Sequence, residues 1–543
     1  MNLLNFVKQE SSVSLKSLMV LTLLSGLAQG ILLAIINAAA TSASFPDLNF
    51  RYLLMFAIAI AVFIIAKRVA LERSFAITEE IIAKLRIRIV DKFRRSHLSV
   101  AERIGKANME SRLSQDTMTI SQAAGEIINA VQSGVMIVVC VIYLAVLSKI
   151  AFFITLVMIL GGISIYLRNQ RQITTELQAA TEKETEFFGS LTQVIEGFKE
   201  MKVNQAKSDD LFENNFTRIC RDAEAVKVRT GLAYVRNFIF SQTFFYILIA
   251  VLVFLLPSLS NAYADVVVKA TAVILFIIGP LTSLVGSIPI YARAEVAIGN
   301  IAALDAYLDT PEASAERRVE PADITFTDFK TLTVENVTFT YPNETGTADG
   351  FAVGPFNLEL QAGEVVFIVG GNGSGKSTFL KLLTGLYAPH GGSLKIDGLS
   401  LKPAHYAAFR SLYSIIFTDF HLFDRLYGIT HVDEKLVAQQ LQRLELADKT
   451  SFEDGRFTNL NLSTGQRKRL ALLIASLEDR PILALDEFAA DQDPEFRKFF
   501  YETLVPELKA AGKTIVAVTH DDRYFHCADR VIKMEYGQVQ STA

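Results

Sequence analysis

One stretch of the chain, Gly370-Gly371-Asn372-Gly373-Ser374-Gly375-Lys376-Ser377-Thr378, combines glycines, hydroxyls and a lysine at a spacing that suits phosphate chemistry. The apolar run 365–369 precedes it, and a helical apolar run follows. The spacing is G-x-x-x-x-G-K-[ST], in which glycines let backbone N–H groups curl around phosphate oxygens at a helix N-terminus. Gly370, Asn372, Gly373, Ser374, Gly375 and Thr378 would line the cradle. Lys376 would neutralise the outer phosphates of a nucleoside triphosphate, and Ser377 would ligate Mg2+. Further along, Pro481-Ile482-Leu483-Ala484-Leu485-Asp486-Glu487 reads as a buried strand ending in two carboxylates. Asp486 would hold Mg2+ through water, and Glu487 would orient and polarise an attacking water. A carboxylate after a strand is also a common helix cap, but one that follows a phosphate loop favours the catalytic reading.

Between these segments lies Leu462-Ser463-Thr464-Gly465-Gln466, followed by the basic helical run 467–477. Alone, Ser463-x-x-Gln466 is a capping box, and a capped helix start presents N–H groups to an anion. The pentapeptide resembles the LSGGQ signature of ABC ATPases, and its place between the phosphate loop and the carboxylate strand is the one that family requires. The resemblance implies ATP and Mg2+ as cofactors and assigns further roles. Tyr341, in Val337-Thr338-Phe339-Thr340-Tyr341, is similar to the aromatic residue that stacks on adenine. His520, after Val516-Ala517-Val518-Thr519, is similar to the histidine that contacts the γ-phosphate, and with Glu487 it forms the expected catalytic pair. Asp493 stands at the D-loop aspartate. Ser463, Thr464, Gly465, Gln466 and Asp493 would act on the nucleotide held by a partner subunit, so two copies make two equivalent sites in a C2 homodimer. One position departs from the family. Thr418 occupies the place of the Q-loop glutamine, and the neighbouring Asp419 is the charged group expected to approach Mg2+.

The elements that must position these residues divide the chain in two. Of its 543 residues 51% are hydrophobic, and the long uncharged stretches crowd the first 300 or so positions. The expected architecture is an all-α membrane domain of six spans in residues 1–309, a Pro-, Glu- and Ala-rich linker at 310–322, and an α/β ATPase domain at 323–543. The spans are expected at 18–40, 52–66, 127–148, 150–167, 238–256 and 266–290, each near the roughly 20 residues a bilayer core requires. The first is too long for a cleaved signal core. Lysines and arginines fill the connections 67–125 and 168–236, whereas 41–51, 148–149 and 257–265 are nearly bare, so both termini are expected in the cytoplasm. The two basic connections keep helical periodicity through 73–93 and 172–193, as stalks would, with hairpin tips near 103–112 and 196–202. A net charge of −4 gives no reason to expect a nucleic-acid partner. The three cysteines have no metal-site or disulfide spacing.

Two segments narrow the resemblance. Thr418-Asp419-Phe420-His421-Leu422-Phe423 and Glu196-Gly197-Phe198-Lys199-Glu200-Met201-Lys202 are similar to those of bacterial cyclic-peptide exporters, which move siderophore precursors, lasso-type microcins and related non-ribosomal peptides. This implies an exporter-type half-transporter in the cytoplasmic (inner) membrane. Its substrate would be peptide or siderophore-like, and a periplasmic or outer-membrane partner could receive the cargo. Only 17 residues precede the first expected span, too few for a leader-trimming peptidase. A lipid or hydrophobic-drug exporter, a siderophore importer and an ATP-gated regulator stay open as alternatives, because coupling segments do not define a substrate cavity.

Overall fold

The computed structural model describes residues 10, 15–42, 50–255, 264–310, 313, 324–341, 350–429 and 431–542. The expected linker 310–322 lies, apart from 310 and 313, outside the described residues. Contacts separate two compact units, Met1–Ile87 with Glu110–Ala303, and Arg88–Met109 with Leu304–Ala543.

The first unit is helical. Its principal helices are α1 (Leu15–Ser42), α2 (Phe50–Arg94, which runs on into the second unit), α4 (Thr117–Leu147), α5 (Lys149–Glu196), α6 (Phe198–Val203), α7 (Thr217–Ala250) and α8 (Ala264–Leu308), while α3 (Leu98–Ile104) belongs to the second unit. Among the described residues, five helical segments are long and apolar enough to cross a membrane: Lys16–Ala40, Phe50–Arg94, Asn108–Leu147, Gln205–Leu255 and Val267–Leu308. The expected span 150–167 falls within α5, whose described apolar portion is the shorter Lys149–Gly162, and it extends onto residues whose side chains lie outside those described. Helices α2 and α5 continue well past any bilayer thickness, as the periodicity of 73–93 and 172–193 predicts.

Small residues set the packing of α1 on α4. A β-carbon on Gly30 would lie 2.4 Å from Val139 Cγ1, and one on Gly26 would lie 2.8 Å from Val135 Cβ. Two glycines four apart let helix backbones approach closely where apolar side chains gain nothing by leaving lipid. On the same stretch, Gln132 Nε2 donates to Gln29 Oε1 at 3.0 Å, and Asn37 Nδ2 donates to the Lys269 carbonyl at 3.4 Å. These buried amides therefore join helices. Leu33, Met136, Cys140, Leu144, Phe245 and Ile274 form the apolar centre.

Among the described residues the second unit holds two main sheets and a two-stranded hairpin of β7 (Phe452–Glu453) and β8 (Arg456–Phe457). The antiparallel sheet has the order β2-β1-β4-β5, from β1 (Thr331–Thr340), β2 (Ala352–Gln361), β4 (Gly391–Ile396) and β5 (Leu399–Ser400). The larger has the order β12-β11-β3-β10-β9-β6, from β3 (Val365–Gly370), β6 (Tyr413–Ile416), β9 (Ile482–Asp486), β10 (Thr514–Val518), β11 (Arg530–Glu535) and β12 (Gln538–Thr542). All its pairs are parallel except β11 with β12. β9 and β10 are buried along their whole length, which is why they read as unbroken apolar runs instead of alternating ones.

Helix α3, the tip of the first basic hairpin, belongs to this unit. The segment joining the two long helices carries α3 and the short helix Lys106–Ser111, and the expected tip near 103–112 falls within it. Leu98 packs on the core beside the antiparallel sheet, and Glu102 accepts from Lys381 Nζ at 2.9 Å and from the Tyr387 hydroxyl. Tyr387 stacks on Phe339 and meets Tyr341 edge-on, so an aromatic cluster connects the tip to the expected adenine-stacking residue.

Gly30→Ile should cost about 1–3 kcal/mol through overpacking against Val139. A lowered denaturation midpoint in detergent, restored in part by adding Val139→Ala, checks this. An unchanged midpoint would mean the close approach carries no stability.

Candidate active site

Parallel pairing delivers the reactive residues to one edge. Val518 of β10 sits opposite Ile368 of β3 and opposite Asp486 of β9, and Ile416 of β6 sits opposite Leu485. The residues that follow these strand ends are the phosphate loop after Gly370, Thr519-His520, Glu487, and Phe417-Thr418.

The loop turns through Gly373 (φ +76°) and Gly375 (φ +94°), the second being the N-cap of α9 (Lys376–Leu383). Only glycine takes these angles without steric cost. Lys376 is 5% exposed, and its ammonium donates to the carbonyls of Gly370 and Gly371, both at 3.0 Å. Burial pulls its pKa below the usual lysine range, while the charges of Glu487 and Asp486 oppose that shift. Ser374 Oγ is buried without a hydrogen-bond partner. An unpartnered hydroxyl beside a buried ammonium at a helix start fits an anionic phosphate. Tyr341 meets the start of α9, its hydroxyl 3.0 Å from Thr378 Oγ1.

Asp486 is 3% exposed, and burial pushes its carboxyl above the usual aspartate range. Ser377 Oγ donates to its Oδ1 at 3.4 Å, which opposes that shift. A hydroxyl and a carboxylate side by side are hard oxygen donors of the kind Mg2+ takes. Among the described residues no cluster of three or more His, Cys, Asp or Glu is placed to hold a metal, and an ion bound chiefly through phosphates and water needs none. Glu487 adopts left-handed backbone angles (φ +50°, ψ +40°). Its N–H donates to the Val518 carbonyl at 3.1 Å, and its Oε1 lies 3.2 Å from His520 Nε2. The two expected catalytic residues are therefore in contact.

At the position that departs from the family, Thr418 Oγ1 donates to the Asp486 carbonyl at 3.4 Å. Thr418 and Asp419 are both exposed, and the Thr418 hydroxyl reaches the main chain of the carboxylate strand. The signature segment is a closed capping box at the start of α10 (Thr464–Glu478): Gln466 N–H donates to Ser463 Oγ at 3.4 Å, and Ser463 N–H donates to Gln466 Oε1 at 3.1 Å. A β-carbon on Gly465 would stand 2.7 Å from the Asp491 carbonyl, and Gln492 Nε2 donates to the Gly465 carbonyl at 3.1 Å. Asp493 caps α11 (Pro494–Phe499), accepting from Phe496 N–H at 2.9 Å, and it also pairs with Arg469. That N–H and the guanidinium hold its carboxyl below the usual range. Among the described residues no hydrogen bond joins Ser463, Thr464, Gly465 or Gln466 to the phosphate loop. Gln492 and Lys468, which tie α10 to the segment after β9, were not legible from sequence, because a lysine in a basic helix reads as a solvated one.

Two family descriptions match the chain: "ABC transporter" over residues 353–490 and "ABC transporter transmembrane region" over 17–281. The chain is 34% identical over 475 residues to the ATP-binding protein SyrD of Pseudomonas syringae pv. syringae, covering 85% of this chain and 82% of that one. It is also similar to ATP-dependent lipid A-core flippases. The Aliivibrio fischeri flippase is 32% identical over 38% of this chain and 37% of its own length. The Neisseria meningitidis serogroup A flippase is 29% identical over 60% of this chain and 53% of its own.

A carboxyl whose folded pKa lies above its unfolded value makes the ionised form costly to fold. The cost is absent below the unfolded value, about 4, and grows as pH rises past it. Asp486→Asn should therefore raise the melting temperature of the nucleotide-free protein at pH 7–8, with the gain shrinking toward pH 4, while ATP hydrolysis is lost. Melting curves across pH, paired with ATPase assays, check both halves.

Proposed function

The chain belongs to the ABC transporter family, and on that footing we propose that it exports a cyclic or modified peptide, such as a siderophore precursor or microcin-like product, by alternating access. It is an exporter-type transporter whose ATPase domain binds and hydrolyses ATP. The proposed setting is the bacterial inner membrane with both termini cytoplasmic, and the proposed assembly is a homodimer in which residues 1–309 form the membrane domain, 310–322 the linker and 323–543 the ATPase.

The observation that carries the catalytic reading is the Glu487–His520 contact at the ends of adjacent strands, beside Lys376 and Asp486. In this reading Gly370, Asn372, Gly373, Ser374, Gly375, Lys376, Ser377 and Thr378 grip the phosphates, and Tyr341 stacks on the adenine. Ser377 and Asp486, with Asp419 as a further candidate, would hold Mg2+ together with water, and the ion would neutralise charge on the phosphates. Glu487 orients the attacking water, and His520 fixes the carboxylate and faces the γ-phosphate. Ser463, Thr464, Gly465, Gln466 and Asp493 complete the partner's site. Closing the two halves around ATP and releasing them after hydrolysis would move the membrane helices between inward and outward access.

The peptide reading is supported by the two coupling segments, Thr418–Phe423 in sequence and 196–202, with their likeness to cyclic-peptide exporters. A lipid substrate is the second reading, favoured by the flippase similarity, which spans less of the chain than the similarity to SyrD.

Inverted membrane vesicles carrying the wild-type chain should accumulate a cyclic peptide or siderophore precursor when given ATP. Glu487→Gln should abolish uptake while lowering kcat about a thousandfold, the scale of losing a group that acts in the transition state. Intact hydrolysis without peptide uptake would overturn the peptide reading and favour a lipid substrate.

A further inference from the structure

Glu487 sits in a backbone region that a residue with a β-carbon occupies only at a cost. Its direction must therefore be imposed from outside. Two contacts do this. The strand β10 takes its N–H through the Val518 carbonyl. Its own carbonyl accepts from Lys468 Nζ at 2.6 Å, and Lys468 lies in the first turns of the signature helix α10 with a side chain only 1% exposed. The same ammonium pairs with Asp491 Oδ2 at 2.7 Å. One cation thus bridges both ends of the turn Phe488–Asp491, using two of its three donors.

We propose that Lys468 is a positioning residue for ATP hydrolysis, fixing the Glu487 main chain to the signature helix and so aiming the carboxylate at its water. The peptide carbonyl of Glu487 can turn only if ψ turns, and ψ also carries the Cα–Cβ direction relative to the rest of the loop. A charge-assisted hydrogen bond at 2.6 Å, shielded from water, is of the strong class. The neighbouring Arg469 pairs with Glu445 and Asp493 and lies 3.8 Å over the Phe496 ring, so the segment after β9 is fastened to α10 along its length. Movement of the signature helix therefore moves the main chain that carries the hydrolytic carboxylate. This role rests on Glu487 being that carboxylate.

The test compares wild type, Glu487→Gln, Lys468→Met and Lys468→Gln as full-length protein in nanodiscs. It reads kcat, ATP affinity, the amount of intact ATP retained after rapid gel filtration, and the nucleotide-free melting temperature. Lys468→Met removes the ammonium but keeps the stem. Its kcat should fall about a hundredfold, the scale of a misplaced catalytic group. ATP affinity should stay within about threefold, and ATP should be retained as in Glu487→Gln, where binding proceeds and hydrolysis stalls. Lys468→Gln, which keeps a neutral donor of shorter reach, should fall between the two. It carries the same judgement if the methionine variant does not fold. A kcat within twofold of wild type overturns the proposal. So does a loss of ATP affinity or melting temperature that accounts for the lost rate, since the lysine would then only support the fold. If Glu487→Gln itself hydrolyses ATP normally, the catalytic reading of Glu487 has failed instead.

Discussion

Parallel hydrogen bonding between β3, β10, β9 and β6 determines where this protein does its chemistry. In a parallel sheet every strand enters the same edge from the same side, so residues far apart in sequence leave it together. The phosphate loop, Glu487, His520 and Thr418 are brought together by this one constraint. Burial of the strands on both faces holds the register, because a slip of one residue would carry polar strand ends into the core. The left-handed turn at Glu487 is the local consequence: the strand ends at a buried Asp486, and the next residue must swing toward β10 to meet His520.

Burial also decides the electrostatics. Lys376 and Asp486 are both almost out of solvent, and burial disfavours the charged form of each, one shifted down and the other up. Each partly offsets the other, and the remainder suits a site that gains by receiving polyanionic phosphate and a divalent cation. The domain gives up some stability in keeping these groups ready. Elsewhere charge is disposed differently: Lys92 spans Asp305 at 2.7 Å and Asp309 at 2.6 Å, joining the end of α2 to the end of α8 without belonging to the reaction.

Much of the site was legible because its residue types have few other uses in those patterns. Glycines at Gly373 and Gly375, a lysine directly after them and two carboxylates ending an apolar strand are local signals tied to backbone angles and strand burial. The capping box of Ser463 and Gln466 formed as the spacing predicts. Thr418 was harder. Its hydroxyl donates to the main chain of Asp486, a residue far away in the chain, and neither composition nor spacing encodes that contact.

The sequence by itself determined the division into apolar helices and an α/β domain, the order of the motifs and the identity of the phosphate loop, since these follow from local periodicity and spacing. Tertiary structure alone decided the rest. It placed Glu102 of the first hairpin tip on Lys381 and Tyr387, and it used Gln29 and Gln132 to join helices. It also turned Lys468 inward to hold the carbonyl of Glu487. Each of these contacts joins residues distant in the chain, and a polar side chain carries no mark in sequence of whether water or another residue will satisfy it.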